Sequence, residues 1–256
     1  MFLSIAPLIV CLSIVVLGLG ALTRMRAPKR QQASAAPDGP LPFGEDTAWL
    51  ALRTDNTIEV VDALQLNEPR TVTWQDGLAA ALEQSSEATG EVFVTPPVSG
   101  WTFVVGLALP LQMGRSFSDP LSPLMVGLSR RFDDVQYFVN CPELDYFAWQ
   151  RMRSGQAMRI FAATDDGIVT NRGMPTFEER ALGMTMFELR GVRDRQGDAG
   201  GELLLHPTSQ HVLKLAAVWG LDPTRLSSRD AAPGLGYVGG APRGWKATLK
   251  KATAAA

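Results

Sequence analysis

Residues 135–169 read VQYFVNCPELDYFAWQRMRSGQAMRIFAATDDGIV, and their reading decides the fold. Val135 to Val139 is an apolar, β-prone run. Leu144 to Gln150 and Met158 to Thr164 are two more, joined around Ser154-Gly155. Asp165-Asp166-Gly167 is a hairpin turn signal before Ile168-Val169. Short β-prone runs separated by turn residues predict an antiparallel meander over residues 143–173.

Working outward, Gly100-Trp101-Thr102-Phe103-Val104-Val105-Gly106 is nearly all apolar, as expected of a central strand covered on both faces. Glu91 to Val94 precedes it, separated by a turn that holds Pro96, Pro97 and Gly100. Trp49 to Leu52 is a further short strand. Apolar residues at 60, 61 and 64 have helical spacing. A helix is expected from Trp74 to Gln84, capped by Thr73 with Asp76 three residues on. Ser122-Pro123 has the form of an N-cap followed by a first-turn proline. Thr176-Phe177-Glu178-Glu179 carries a second capping pair, and Ser209 to Trp219 a strong helix stopped by Gly220. The pattern predicts an α+β fold: one domain over residues 47–230, a largely antiparallel sheet flanked by several helices.

The ends differ in composition. Phe2 to Thr23 holds no charged residue, and Arg24, Arg26, Lys29 and Arg30 follow closely. A helix of this length spans the hydrocarbon core of a bilayer. Its uncharged start, long apolar run and Arg-rich exit favour an uncleaved single-pass anchor over a signal peptide. Residues 1–30 are thus expected to form a transmembrane helix with a basic flank. The positive flank lies after the span, which places the domain in the cytoplasm of a bacterial inner membrane, with the periplasm as the alternative. Residues 31–46 are rich in Ala, Pro and Gly and read as a flexible linker. Residues 231–256 are Gly-, Pro- and Ala-rich, without an acid but with Arg243, Lys246, Lys250 and Lys251, and read as a disordered basic tail.

Four of the 24 basic residues and none of the 26 acidic ones lie in residues 1–30, so the remainder is mildly acidic. That balance argues against a nucleic-acid-binding surface. Of two cysteines, Cys11 falls inside the apolar span, so Cys141 has no intramolecular partner within the domain.

Little in the chain carries chemistry. There is no Gly-rich phosphate loop and no Gly-x-Ser-x-Gly. His206 and His211, the only histidines, are five residues apart and would not share a helix face. A zinc site needs three or four ligands, so no metal and no cofactor is expected. The carboxylate pairs Asp133-Asp134, Asp165-Asp166 and Glu178-Glu179 all have turn or helix-start reasons to exist. The aromatic residues are more distinctive. On the strand Leu144–Gln150, Tyr146 has one parity, Phe147 and Trp149 the other, so one face is either covered or exposed. Arg151, Arg153 and Arg159 lie beside it, and Arg next to aromatics is the usual composition of an interface anchor. Tyr146, Trp149, Arg151, Arg153 and Arg159 are the candidate binding residues.

Some of these segments resemble sequences of uncharacterised bacterial proteins. The likeness rests on Gly100 to Gly106, Phe132 to Phe138, a Tyr-x-x-Trp strand at Tyr146 to Trp149, a Gly-x-x-x-Arg strand at Gly155 to Arg159, and a Thr-x-Glu-Glu-x-x-Leu-Gly helix at Thr176 to Gly183. The resemblance covers roughly residues 50–225 and implies a bacterial origin but no activity.

The reading that follows is a membrane-anchored, non-enzymatic, protein-binding domain. One version is an immunity protein that neutralises a toxin. The alternative is a hydrolase using Cys141 or paired carboxylates.

Overall fold

A computed structural model describes residues 36–83, 90–111, 119–184 and 206–245. The expected span, its basic flank and the end of the tail lie outside the described residues. Among the described residues no helix is long and apolar enough to cross a membrane.

The fold is α+β. Nine antiparallel strands run β1 (Thr47–Leu52), β2 (Asn67–Val72), β3 (Glu91–Val94), β4 (Thr102–Val105), β5 (Asp134–Cys141), β6 (Tyr146–Arg153), β7 (Gln156–Thr164), β8 (Gly167–Arg172) and β9 (Gly236–Gly240). They form one sheet in the order β2-β9-β3-β4-β1-β5-β6-β7-β8. The helices are α1 (Thr57–Leu64), α2 (Trp74–Leu82), α3 (Leu121–Ser129), α4 (Phe177–Ala181) and α5 (Ser209–Trp219).

Strand alternation sorts the core into two layers. On β1, Ala48, Leu50 and Leu52 join a cluster with Val60, Val61 and Leu64 of α1 and Leu121, Met125 and Leu128 of α3. Trp49 and Ala51 turn the other way, into a cluster with Trp74 and Leu78 of α2 and Val212, Leu215 and Trp219 of α5. The central strands β1, β4 and β5 are buried at every residue. That explains why they read as continuous apolar runs rather than alternating ones. Each fully buried large side chain contributes about 1.5–3 kcal/mol, and Trp49, Trp74 and Trp149 are all completely enclosed.

The expected meander is present in full. Ser154 and Gly155 both have positive φ (47° and 78°), the conformation that a tight hairpin between β6 and β7 requires. Thr73 caps α2 by accepting from Asp76 N. At α4, Thr176 and Glu179 form a reciprocal capping box. The start of α3 differs from expectation. Asp119, not Ser122, accepts from the Leu121 and Ser122 amides, at 3.1 and 3.0 Å.

Both expected boundaries are corrected. The segment read as a disordered tail contributes β9, which lies between β2 and β3 in the sheet. Its glycines are a packing requirement. A Cβ at Gly236 would stand 2.4 Å from the Val94 carbonyl oxygen and 2.5 Å from the Phe93 ring, and one at Gly77 of α2 only 2.3 Å from that ring. Residues 38–46, read as linker, are packed down. Asp38 accepts from the Trp74 and Gln75 amides at 2.6 and 3.0 Å and so provides a second cap for α2. Phe43 is buried, edge-on to Trp49 and Phe103. The ordered domain therefore begins before Thr47 and continues past Asp230.

Candidate functional site

The five candidate binding residues do not form one exposed surface. Tyr146 is buried in the layer beneath α1 and α3. The other four have the opposite parity and face the α5 side. Trp149 is completely buried, stacked on Phe161 with ring centroids 4.3 Å apart. Its indole Nε1 donates to Glu179. Arg159 is 2% exposed, and its guanidinium donates to Glu179, to Asn171 Oδ1 and to the carbonyls of Arg172 and Gly173. The aromatic parity that the sequence left open is thus core on both sides. It is covered because a nine-stranded sheet with helices on each face leaves its central strands no free side.

Arg151 and Arg153 go elsewhere. Both converge on Asp134. Arg151 donates from Nε and Nη2, the latter at 2.6 Å from Oδ2. Arg153 donates from Nε and Nη2 to the same oxygen at 3.0 and 2.9 Å. Strand register explains the geometry, because Asp134 of β5 pairs directly with Arg153 of β6. Two guanidinium groups on one carboxylate leave a net positive charge. Arg153 keeps half its side chain in solvent, while Arg151 is nearly enclosed.

This triad forms one wall of an open cleft of about 460 Å³ lined by Arg53, Trp101, Asp133, Asp134, Arg151, Arg153, Ser154 and Trp219. The cleft lies at the end of β1, the start of β4 and β5, the β6–β7 turn and the last turn of α5. Two cation–indole stacks build it. Arg53 lies over Trp101 with its guanidinium carbon 5.2 Å from the ring centroid, and Arg151 over Trp219 at 5.3 Å. Gly220 lets the Trp101 indole pack against the end of α5, since a Cβ there would stand 3.1 Å from it. Gln136 fixes the end of α5 by donating from Nε2 to the Trp219 carbonyl. The Trp219 indole Nε1 is buried and has no acceptor among the described residues. Arg53 is exposed and has no carboxylate within ion-pair distance among the described residues.

Sequence reasoning reached Arg151 and Arg153 but missed Arg53, Trp101, Trp219 and the role of Asp134. Asp133-Asp134 was noticed as a pair, yet only Asp134 faces two arginines. Nothing local links Arg53 to residues 134 and 219; the sheet order and the packing of α5 on the sheet bring them together.

The nucleophile left open by the sequence is not paired with a base. Burial, with Asp46 and Glu143 nearby, pushes the Cys141 thiol up to about 12, so it stays protonated and unreactive at neutral pH. Cys141 belongs to the α1/α3 layer. His206 packs edge-on against Phe147, in the opposite layer. His211 is on α5, where its Nδ1 accepts from the Thr208 amide. No group of three His, Cys, Asp or Glu side chains able to hold a metal ion occurs among the described residues. Compared with protein-family models, curated proteins and solved structures, the chain matches none.

Proposed function

We propose that this chain is a non-enzymatic protein-binding domain of bacterial type, tethered to the inner membrane through residues 2–23, with its domain in the cytoplasm. The observation that carries the reading is the cleft between β1, β4, β5, β6 and α5. It combines tryptophan and arginine, the residue types that dominate binding energy at protein interfaces, with an open mouth suited to a protruding group of another macromolecule. The buried, unreactive thiol of Cys141 supports binding over hydrolysis. The uncharged run and basic flank of residues 2–30 support the tether.

The test is co-purification of the full-length protein from its own cells in mild detergent. The expected result is one partner at fixed stoichiometry, retained by the wild type and lost from Arg53→Glu with the circular dichroism spectrum unchanged. Retention of the same partner by that variant, or the absence of any stoichiometric protein partner, would overturn the reading. A reporter fused after residue 245 and active on only one side of the membrane is expected to score cytoplasmic. A periplasmic score would reverse the orientation and favour protection against a toxin acting in the envelope.

A further inference from the structure

We infer that the cleft is a carboxylate receptor, and that the group it takes is an acidic side chain on a segment of the partner protein. This rests on the binding role proposed above and assigns its chemistry.

The charges in the cleft are unequally engaged. Asp134 is saturated: Oδ2 accepts from both Arg151 and Arg153, and Oδ1 from Arg151 and from Gln136 Nε2. It has no capacity left for an incoming cation. Arg153 has committed its Nε and Nη2 to Asp134, which leaves Nη1 directed away from that bond. Arg53 has no carboxylate partner among the described residues; it lies over Trp101, and Gly100 faces its guanidinium, with an added Cβ 3.5 Å from the carbon. A guanidinium held over an indole loses less freedom when its donors close on a carboxylate, which the planar fork matches in geometry.

Charge balance selects the class of anion. The lining residues are three arginines and two aspartates, a net charge of one. A carboxylate neutralises it. A phosphate with about two charges at neutral pH would overshoot and would also meet Asp133 and Asp134 at close range. The shape of the cleft selects the source. Small-molecule sites enclose most of their ligand, whereas this cleft is open on one side, with Trp101 and Trp219 buried beneath Arg53 and Arg151 as its floor. That suits a side chain reaching in from a protein surface, its carboxylate between Arg53 and Arg153.

Full-length protein labelled with 5-fluorotryptophan reports on this directly, since two of its six tryptophans line the cleft. The Trp101 and Trp219 fluorine signals are assigned by Trp→Phe variants, and the remaining signals serve as the control for folding. The probes are an acetylated, amidated Gly/Glu peptide, its Gly/Gln counterpart and inorganic phosphate. The glutamate peptide is expected to shift the Trp101 and Trp219 signals saturably, with the glutamine peptide and phosphate each at least about tenfold weaker. Arg53→Gln should weaken the glutamate peptide by about tenfold with the other signals unmoved, and Arg53→Lys should restore only part of it. Asp133→Asn should tighten it. Equal response to glutamate and glutamine peptides, stronger response to phosphate, or no response at all would overturn the inference. If the peptide fails while Arg53-dependent co-purification succeeds, the carboxylate assignment falls and the protein-binding role stands. If both fail, both fall.

Discussion

Arg159 Nε stands 2.8 Å from Glu179 Oε1, with the two side chains 2% and 1% exposed. The pair joins the middle of β7 to α4, outside the sheet. Both members make further hydrogen bonds. Glu179 Oε1 accepts from Trp149 Nε1, and Oε2 from the Thr176 amide. Arg159 Nη1 reaches three acceptors on β8 and the turn after it. Burying two charges is costly, and hydrogen bonding this extensive offsets it. Glu179→Ala leaves a buried guanidinium without its carboxylate, so urea denaturation should show a loss of about 3–5 kcal/mol. Arg159→Met with Glu179→Leu should lose markedly less than either charge-stranding variant. A double variant as unstable as Glu179→Ala would show that shape, not charge, dominates there.

Gly77 and Gly236 hold the Phe93 ring between them from α2 and β9. Added methyls at 2.3 and 2.5 Å from that ring cannot be accommodated without movement. Gly77→Ala and Gly236→Ala should each destabilise the domain by about 1–3 kcal/mol. Phe93→Leu, by narrowing the side chain between them, should make Gly77→Ala less costly than it is alone. A denaturation cycle over the four proteins reads this coupling; additive losses would contradict it.

Asp38 caps α2 across sequence, using both carboxylate oxygens. Its backbone carbonyl also accepts from the Gly234 amide. Asp38→Ala should cost about 1–2 kcal/mol. Asp38→Asn should recover much of the loss, since an amide oxygen still accepts. Equal stability of Asp38→Ala and the wild type in a thermal melt would show that the Asp38 cap contributes nothing to the domain.

His211 has its pKa lowered, by burial first and then by Lys214. Its neutral Nδ1 accepts from the Thr208 amide at the start of α5, a role the protonated ring cannot fill. The unfolded chain therefore takes up a proton at higher pH than the folded one. The contribution is fully present above about pH 6.5 and declines as pH falls below it, levelling off once the folded ring is also protonated. Tm should drop between about pH 7.5 and 5.5. The drop should be smaller in His211→Gln, which keeps an acceptor at the third helical position. An identical drop in both proteins would place the sensitivity elsewhere.

The helices and the meander were legible because their signals are local. Thr73, Thr176 and Gly220 mark ends, and apolar residues recur at the right period. β2 and β9 were not. Asn67-Glu68-Pro69-Arg70 is polar because β2 is an edge strand, where proline loses no ladder bond. Gly236-Tyr237-Val238-Gly239-Gly240 reads as a loop because glycine stands at 236 and 239, where Phe93 and Leu66 occupy the space that side chains would take. The cleft was half legible. Arg151 and Arg153 stood out by composition, but Arg53 joins them through sheet order and Trp219 through the packing of α5, which no residue spacing encodes. Trp149 and Arg159 carried the same compositional signal as Arg153 and turned out to be sealed inside.

The position of β9 also governs when the molecule is able to assemble. Thr71 of β2 pairs with Tyr237, and Phe93 of β3 with Val238, so the two strands synthesised early wait for one made near the end. Until residue 240 has left the ribosome, β3 has an open edge and β2 no partner, and such edges invite pairing between chains. Contacts this distant in sequence also slow folding. Completion of the sheet therefore waits on residues far downstream of β2 and β3. A protein interrupted shortly before Gly236 would be an aggregation-prone intermediate rather than a slightly shortened domain.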